Sequence, residues 1–92
     1  MAKTPPTPDF DLMAARMSAL ADPNRLRALH AVLHSELTVN QITERVGMAQ
    51  PTVSHHLRKL LVEGLVTRSK RGVHVFYQAS PLGVDLFFVS EP

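Results

Sequence analysis

The sequence predicts a small, mainly α-helical domain with one β-hairpin. Apolar residues recur every three to four positions through most of the chain, which is the period of an amphipathic helix. After Gly64 the pattern changes to β-branched and aromatic runs on either side of a Lys-Arg-Gly sequence, which is typical of a hairpin. The chain has 92 residues, 45% of them hydrophobic, so it is long enough for one packed domain and too apolar to be disordered.

Composition limits the chemistry that the chain can perform. It has no cysteine, which excludes disulfides, thiolate catalysis and cysteine metal sites. The net charge is only +2, but the basic residues concentrate in one stretch that holds a single acid, Glu63: Arg58, Lys59, Arg68, Lys70 and Arg71. Such local positive charge favours a polyanionic partner.

The N-terminal residues have the composition of a tail. Residues 1–8 hold three prolines and no periodic pattern, so we expect a flexible segment ahead of one domain spanning residues 9–92. We find neither the apolar region of a secretory signal nor an apolar run near the roughly 18 residues of a membrane span. We therefore expect a cytoplasmic protein.

Two helices are expected in the first part of the chain. The first begins at Asp9 and places four apolar residues on one face: Phe10, Met13, Met17 and Leu20. The second begins at Pro23, which suits a first helical position, with Asp22 as its N-cap. Its apolar period continues to His34.

The next two helices are separated by a short glycine-containing turn. Thr38, followed three residues later by Gln41, predicts a capping box at the start of a helix that ends at Gly47. Pro51 lies near the first position of the following helix, which ends at Gly64. Two helices so closely joined predict a helix-turn-helix.

A hairpin and a last helix complete the predicted domain. Residues 65–69 and 73–78 are the expected strands, and Gly72 can supply the positive φ of the loop between them. A very short strand is also a candidate at residues 37–39. Ser80 and Pro81 open an apolar last segment that we expect to be helical, although Gly83 weakens that expectation. The fold class is thus a winged helix-turn-helix with about five helices.

The helix that begins near Pro51 carries two kinds of surface. On a helical wheel its apolar residues gather in one sector, His55 lies opposite them, and His56 lies at the boundary. The outward residues suit base edges and phosphates, and basic residues of the hairpin suit the phosphate backbone. The predicted DNA-binding residues are Gln50, Thr52, Ser54, His55, Arg58, Arg68, Lys70 and Arg71. The alternatives are an ordinary polar helix surface and a solvated loop.

Three stretches resemble the ArsR (ArsR/SmtB) family of bacterial winged-helix repressors: LADPNRLRAL, QPTVSHHLRKLLVEGLV and RGVHVFYQ. The resemblance covers about residues 10–89. It implies a homodimer that binds an imperfect palindromic operator in double-stranded DNA through the recognition helix and the wing. It also implies a dimer interface formed by the first and last helices, for which the candidates are Phe10, Met13, Met17, Leu20, Phe87 and Phe88.

The sequence departs from this family at its usual sensing sites. Thr38 and Asn40 stand where some members have a Cys-x-Cys metal site. Asp85 and Glu91 are available for a site on the last helix, but no histidine follows His74. We therefore expect no metal and no cofactor. The sequence does not indicate which effector, if any, the protein responds to.

Alternatives to a DNA-binding repressor remain at this point. His30 and His34 are four residues apart, so on a helix they could hold one metal ion, although two helix histidines without a metal are the simpler interpretation. The chain could instead be an interaction module that depends on a partner protein carrying the sensor. An enzyme is not expected, because no phosphate-binding glycine loop, nucleophile–base set or carboxylate pair is present.

Overall fold

The structure, a computed structural model, describes residues 7–89, with side chains to Phe87. It contains α1 (Phe10–Leu20), α2 (Pro23–Ala31), α3 (Val39–Val46), α4 (Gln50–Val62), β1 (Val66–Arg71), β2 (His74–Ala79) and α5 (Pro81–Val89). The predicted fold class, a helix-turn-helix followed by a hairpin, is confirmed. Most of the predicted tail, and Glu91, lie outside the described residues.

The predicted helix starts are confirmed by their caps. The Asp9 carboxylate accepts a hydrogen bond from the Leu12 amide at 3.0 Å, and the Asp22 carboxylate accepts one from the Asn24 amide at 2.8 Å. At α3, the Gln41 amide donates to the Thr38 hydroxyl, and the Thr38 amide donates to the Gln41 side chain. Each cap satisfies amides that the helix itself leaves without a partner.

The second helix is shorter than predicted. The apolar period continues to His34, but α2 ends at Ala31 and residues 32–35 form a turn. In this turn the Val32 carbonyl accepts a hydrogen bond from the Ala79 amide at 2.8 Å. The Val32 carbonyl thus accepts its hydrogen bond from the end of β2 and not from a further turn of α2. Val32 is buried although it lies outside the helix.

The wing is an antiparallel hairpin closed by two residues, Gly72 and Val73. Gly72 has the positive φ that the turn requires, at 62°. The first strand was expected at residues 65–69, but β1 continues to Arg71, so residues 70 and 71 belong to the strand and not to the loop. Leu37 pairs with Tyr77 along the other edge of β2, through hydrogen bonds of 3.0 and 2.8 Å, so the predicted short strand is a single bridge.

The core lies between α2, α3, α4 and the start of β1. Its fully buried large side chains are Leu29, Val32, Ile42, Val53, Leu57, Leu60, Leu65 and Val66. Helix α5 crosses this core so closely that a Cβ at Gly83 would overlap the Leu65 carbonyl oxygen. Gly83 is therefore required by packing, although it weakened the sequence pattern. Within residues 7–89, no helix is long and apolar enough to cross a membrane.

Candidate nucleic-acid interface

Helix α4 separates an inner from an outer face as the helical wheel predicts. Its inner residues Val53, Leu57 and Leu60 are fully buried. The predicted DNA-binding residues of this helix are on the outer side, where Ser54 is half-buried and the others are exposed: Gln50, Thr52, His55 and Arg58. Their positions are those expected, and their contacts with DNA remain predictions.

The N-terminus of α4 carries no side-chain cap. Its N-cap residue is Ala49, whose side chain cannot accept a hydrogen bond, and Pro51 has no amide hydrogen to donate. The other helices of the described segment begin with a capping side chain, including α5, where the Ser80 hydroxyl accepts from the Gly83 amide at 3.0 Å. The first amides of α4 and the positive end of its dipole are thus open to an anion.

The three basic residues of the wing do not share a face. In the hairpin register Arg68 lies opposite Tyr77 and Lys70 lies opposite Val75, whereas Arg71 belongs to the other face of the sheet. All three are exposed. The sequence suggested one cluster, but the alternation of side chains along β1 divides it into a pair and a single residue.

Arg71 already has partners within the chain. Its guanidinium carbon lies 4.1 Å from the centroid of the Phe76 ring, and its Nη2 lies 2.6 Å from Oε2 of Glu36. The side chains of Arg71 and Glu36 are 56% and 36% exposed, so solvent screens the pair and its contribution to stability is about 0.2–1 kcal/mol. Glu36 was missed because nothing in a sequence signals a partner 35 residues away.

The start of α4 lies beside the wing. An open groove of about 580 Å³ runs between them, with Gln50 on one side and residues 73–76 on the other. Its remaining lining comes from the first residues of α3 and their cap: Thr38, Val39, Asn40 and Gln41. The fold therefore brings the predicted recognition helix and the wing to one surface, although they are separated by the whole length of α4 and β1.

The two adjacent histidines of α4 have different surroundings. His55 is exposed, whereas His56 is 6% exposed and its Nδ1 has no hydrogen-bond partner among the described residues. Burial lowers the pKa of His56 below its usual 6.5, and the nearby carboxylate of Asp22 offsets part of this effect. The expected difference in exposure between the two histidines is confirmed, although His56 is more buried than a boundary residue, and their separate roles remain predictions.

The candidate metal pair is not arranged as the sequence suggested. Because α2 ends at Ala31, His34 is not one helical turn from His30, and the expected shared face does not exist. The His30 ring instead packs against Phe87, with ring centroids 5.6 Å apart. Across residues 7–89, no three His, Cys, Asp or Glu side chains are grouped so that they could hold a metal ion.

The predicted dimer residues fall into two groups. Phe10, Met13 and Met17 are 67%, 47% and 51% exposed, as an interface without its partner should be. Leu20 and Phe87 are half-buried and pack against the core of their own chain, and the side chain of Phe88 lies outside the described part. Leu12, at 40% exposed, adds to the apolar surface of α1 and was not among the sequence candidates.

Helices α3 and α4 with the hairpin that follows define a winged helix-turn-helix domain. Solved structures agree over nearly the whole chain. NolR from Sinorhizobium fredii matches with a TM-score of 0.81 and 27% identity, covering 96% of this chain and 92% of that one. A homodimeric winged helix-turn-helix DNA-binding domain from Mycobacterium bovis matches with a TM-score of 0.80 and 28% identity, covering 94% and 85%.

The sequence identifies the family. The model of the bacterial regulatory protein, arsR family, matches residues 22–68, just over half of the chain, and the chain belongs to that family. It is 36% identical to the HTH-type transcriptional regulator KmtR of Mycobacterium tuberculosis, over 79% of this chain and 58% of KmtR. It is 32% identical to the nodulation protein NolR of Rhizobium meliloti, over 78% and 59%. The matches thus span less than two thirds of these relatives' lengths.

Proposed function

We propose that the chain is a transcriptional repressor that binds an imperfect palindromic operator as a homodimer. The observation that carries this proposal is the position of Gln50, on the uncapped N-terminus of α4 and across the groove from the wing. A helix that enters the major groove with its N-terminus, next to a wing that meets the backbone, needs this arrangement.

Each part of the surface has a separate task. Gln50 can form a bidentate pair with adenine, and Thr52, Ser54 and Arg58 can reach neighbouring bases or phosphates. Arg68, Lys70 and Arg71 supply positive charge along the wing, which adds affinity without sequence choice. We expect the groove between α4 and the wing to receive the sugar-phosphate strand between a major and a minor groove.

The exposed apolar side chains of α1 support the proposed homodimer. This helix has 11 residues and buries only Ala19, near its C-terminal end. A helix of this length is marginal in water unless its apolar face is packed. A second copy that covers Phe10, Leu12, Met13 and Met17 would supply this packing, and the Mycobacterium bovis neighbour is described as homodimeric.

A binding experiment with two classes of variant tests the proposal. Duplexes selected from a random-sequence pool by the purified chain would serve as operators, with a scrambled duplex for comparison. We expect Gln50→Ala to reduce the preference for the selected duplex by about 1–3 kcal/mol, because it removes a base contact. We expect Lys70→Gln to weaken binding to both duplexes equally and to reduce the salt slope by about one.

Arg27→Gln is the control for loss of a positive charge, because Arg27 is exposed on α2 and its Nη1 donates to Asn24. It should change binding less than Lys70→Gln does. If Gln50→Ala and Lys70→Gln had the same effect on sequence preference, the assignment of helix and wing would be wrong. Selection of no duplex by the chain alone would favour the interaction module that depends on a partner protein.

A further inference from the structure

The side chain of Arg71 is turned back across its own sheet. Arg71 ends β1, yet its guanidinium lies over Phe76 of β2 and reaches Glu36, which precedes the residue paired to the far edge of β2. The two hydrogen bonds between Leu37 and Tyr77 hold the Glu36 segment in place. The contact therefore joins the wing to the turn between α2 and α3.

Glu36 offers Arg71 the same kind of partner that DNA would offer. A carboxylate and a phosphate both accept hydrogen bonds from the guanidinium fork. Phe76 and Thr38 line the groove between α4 and the wing, so the pair lies at the border of the surface assigned to DNA. Arg71 can give its full charge to a phosphate only by leaving Glu36, whose own negative charge then remains close to the polyanion.

We propose that Glu36 limits the affinity of the wing for DNA by holding Arg71 as an internal substitute for a phosphate. This inference rests on the proposed DNA-binding function. It makes Glu36, outside both the helix-turn-helix and the wing, a residue that sets affinity. Lys70, the neighbour of Arg71 on β1, forms no ion pair among the described residues and has no such restraint.

The proposed effect of Glu36 on affinity does not depend on the DNA sequence. A fluorescein-labelled random-sequence duplex is therefore a sufficient probe. We expect Glu36→Gln to raise affinity about two- to fivefold, because an exposed ion pair is weak and its loss frees one cation. The slope of log affinity against log salt concentration should become more negative by up to about 0.9, the value for one additional phosphate contact. Glu36→Asp keeps the charge but shortens the side chain, so it should give a smaller gain.

Two comparisons separate this mechanism from a general charge effect. Glu44→Gln removes the same charge from an exposed position of α3 and should produce a smaller gain than Glu36→Gln. In an Arg71→Gln background, Glu36→Gln should add no more than Glu44→Gln does. Three results would overturn the inference: a gain from Glu36→Gln in the Arg71→Gln background that exceeds the gain from Glu44→Gln, an equal gain from both substitutions in the wild-type background, or a loss of affinity in Glu36→Gln.

The wild-type chain separates this inference from the proposed function. If the wild-type chain binds the duplex at low salt but Glu36→Gln binds it with equal or lower affinity, only the role of Glu36 is wrong. If it retains no duplex at any salt concentration, the proposed function fails and the inference fails with it. Thermal unfolding of each variant checks that the fold is intact, which we expect because both partners are exposed to solvent.

Discussion

Helices α1 and α4 have similar lengths, 11 and 13 residues, but they use their apolar residues differently. Helix α4 buries its apolar face against the same chain, where Val53, Leu57 and Leu60 are completely inaccessible. Helix α1 leaves Phe10 and Met17 more than half exposed. The domain thus holds its proposed recognition helix by intramolecular packing, whereas one copy of the chain leaves part of the apolar surface of α1 uncovered.

This difference fits the separate roles that we propose for the two helices. A recognition helix has to keep one orientation for its side chains to reach base edges, and a buried inner face provides that orientation. An interface helix has to keep its apolar side chains available for a second copy. Variants of the two helices should therefore differ in stability and in assembly.

The largest effect is expected from Leu57→Ala. Removing a fully buried leucine side chain leaves a cavity in the core, so the free energy of unfolding should fall by about 2–5 kcal/mol. Met17→Ala, at a position 51% exposed, should change it by no more than about 0.5 kcal/mol at concentrations where the chain is monomeric. Urea unfolding monitored by circular dichroism measures both. Equal losses would mean that α1 packs as firmly as α4.

A change in assembly should follow from polar substitutions on α1. We expect the wild-type chain to show twice its 10.2 kDa mass by light scattering, and the Met13→Ser/Met17→Ser double variant to show the mass of one chain. The physical reason is the loss of apolar area from the proposed interface. Val62→Ser is the matched control, since Val62 is 76% exposed but lies on α4. A variant mass that remains doubled would place the interface elsewhere.

The smallest effect is a dependence of stability on pH that comes from His56. Because burial lowers the pKa of His56, the folded chain binds fewer protons at this residue than the unfolded chain does at pH values between the lowered pKa and about 6.5. The contribution of neutral His56 is complete above that pH and is lost as the pH falls toward the lowered pKa. Urea unfolding between pH 5 and 8 should show a shallower loss in His56→Gln than in the wild type. Parallel curves would contradict the burial of this side chain in solution.

The sequence predicted the elements whose signals are local. Asp22 before Pro23, and Thr38 with Gln41, mark helix starts because a cap involves residues within three positions of one another. The outer face of α4 was also predictable, since a period of 3.6 residues separates buried from exposed positions. These signals led to the helix-turn-helix and to the proposed DNA-binding residues of α4.

The errors arose where distant segments meet. The apolar pattern of α2 continues past Ala31, but hydrogen bonding of Val32 to Ala79 ends the helix there, and this removed the basis for a His30–His34 metal pair. Gly83 weakened the helical pattern of α5, but its lack of a side chain allows α5 to approach Leu65. No pattern within a few residues could report either contact.

The order of the elements, the start of most helices, the composition of the α4 surface and membership of the family could all be inferred from the sequence. Three features depend on how the chain folds: Gln50 lies across a groove from the wing, the wing cations divide between two faces, and Arg71 is paired with Glu36. Caps and helical periods act over a few residues, so a sequence displays them directly. The partners of a side chain that crosses a sheet are set by strand pairing between segments far apart in the chain.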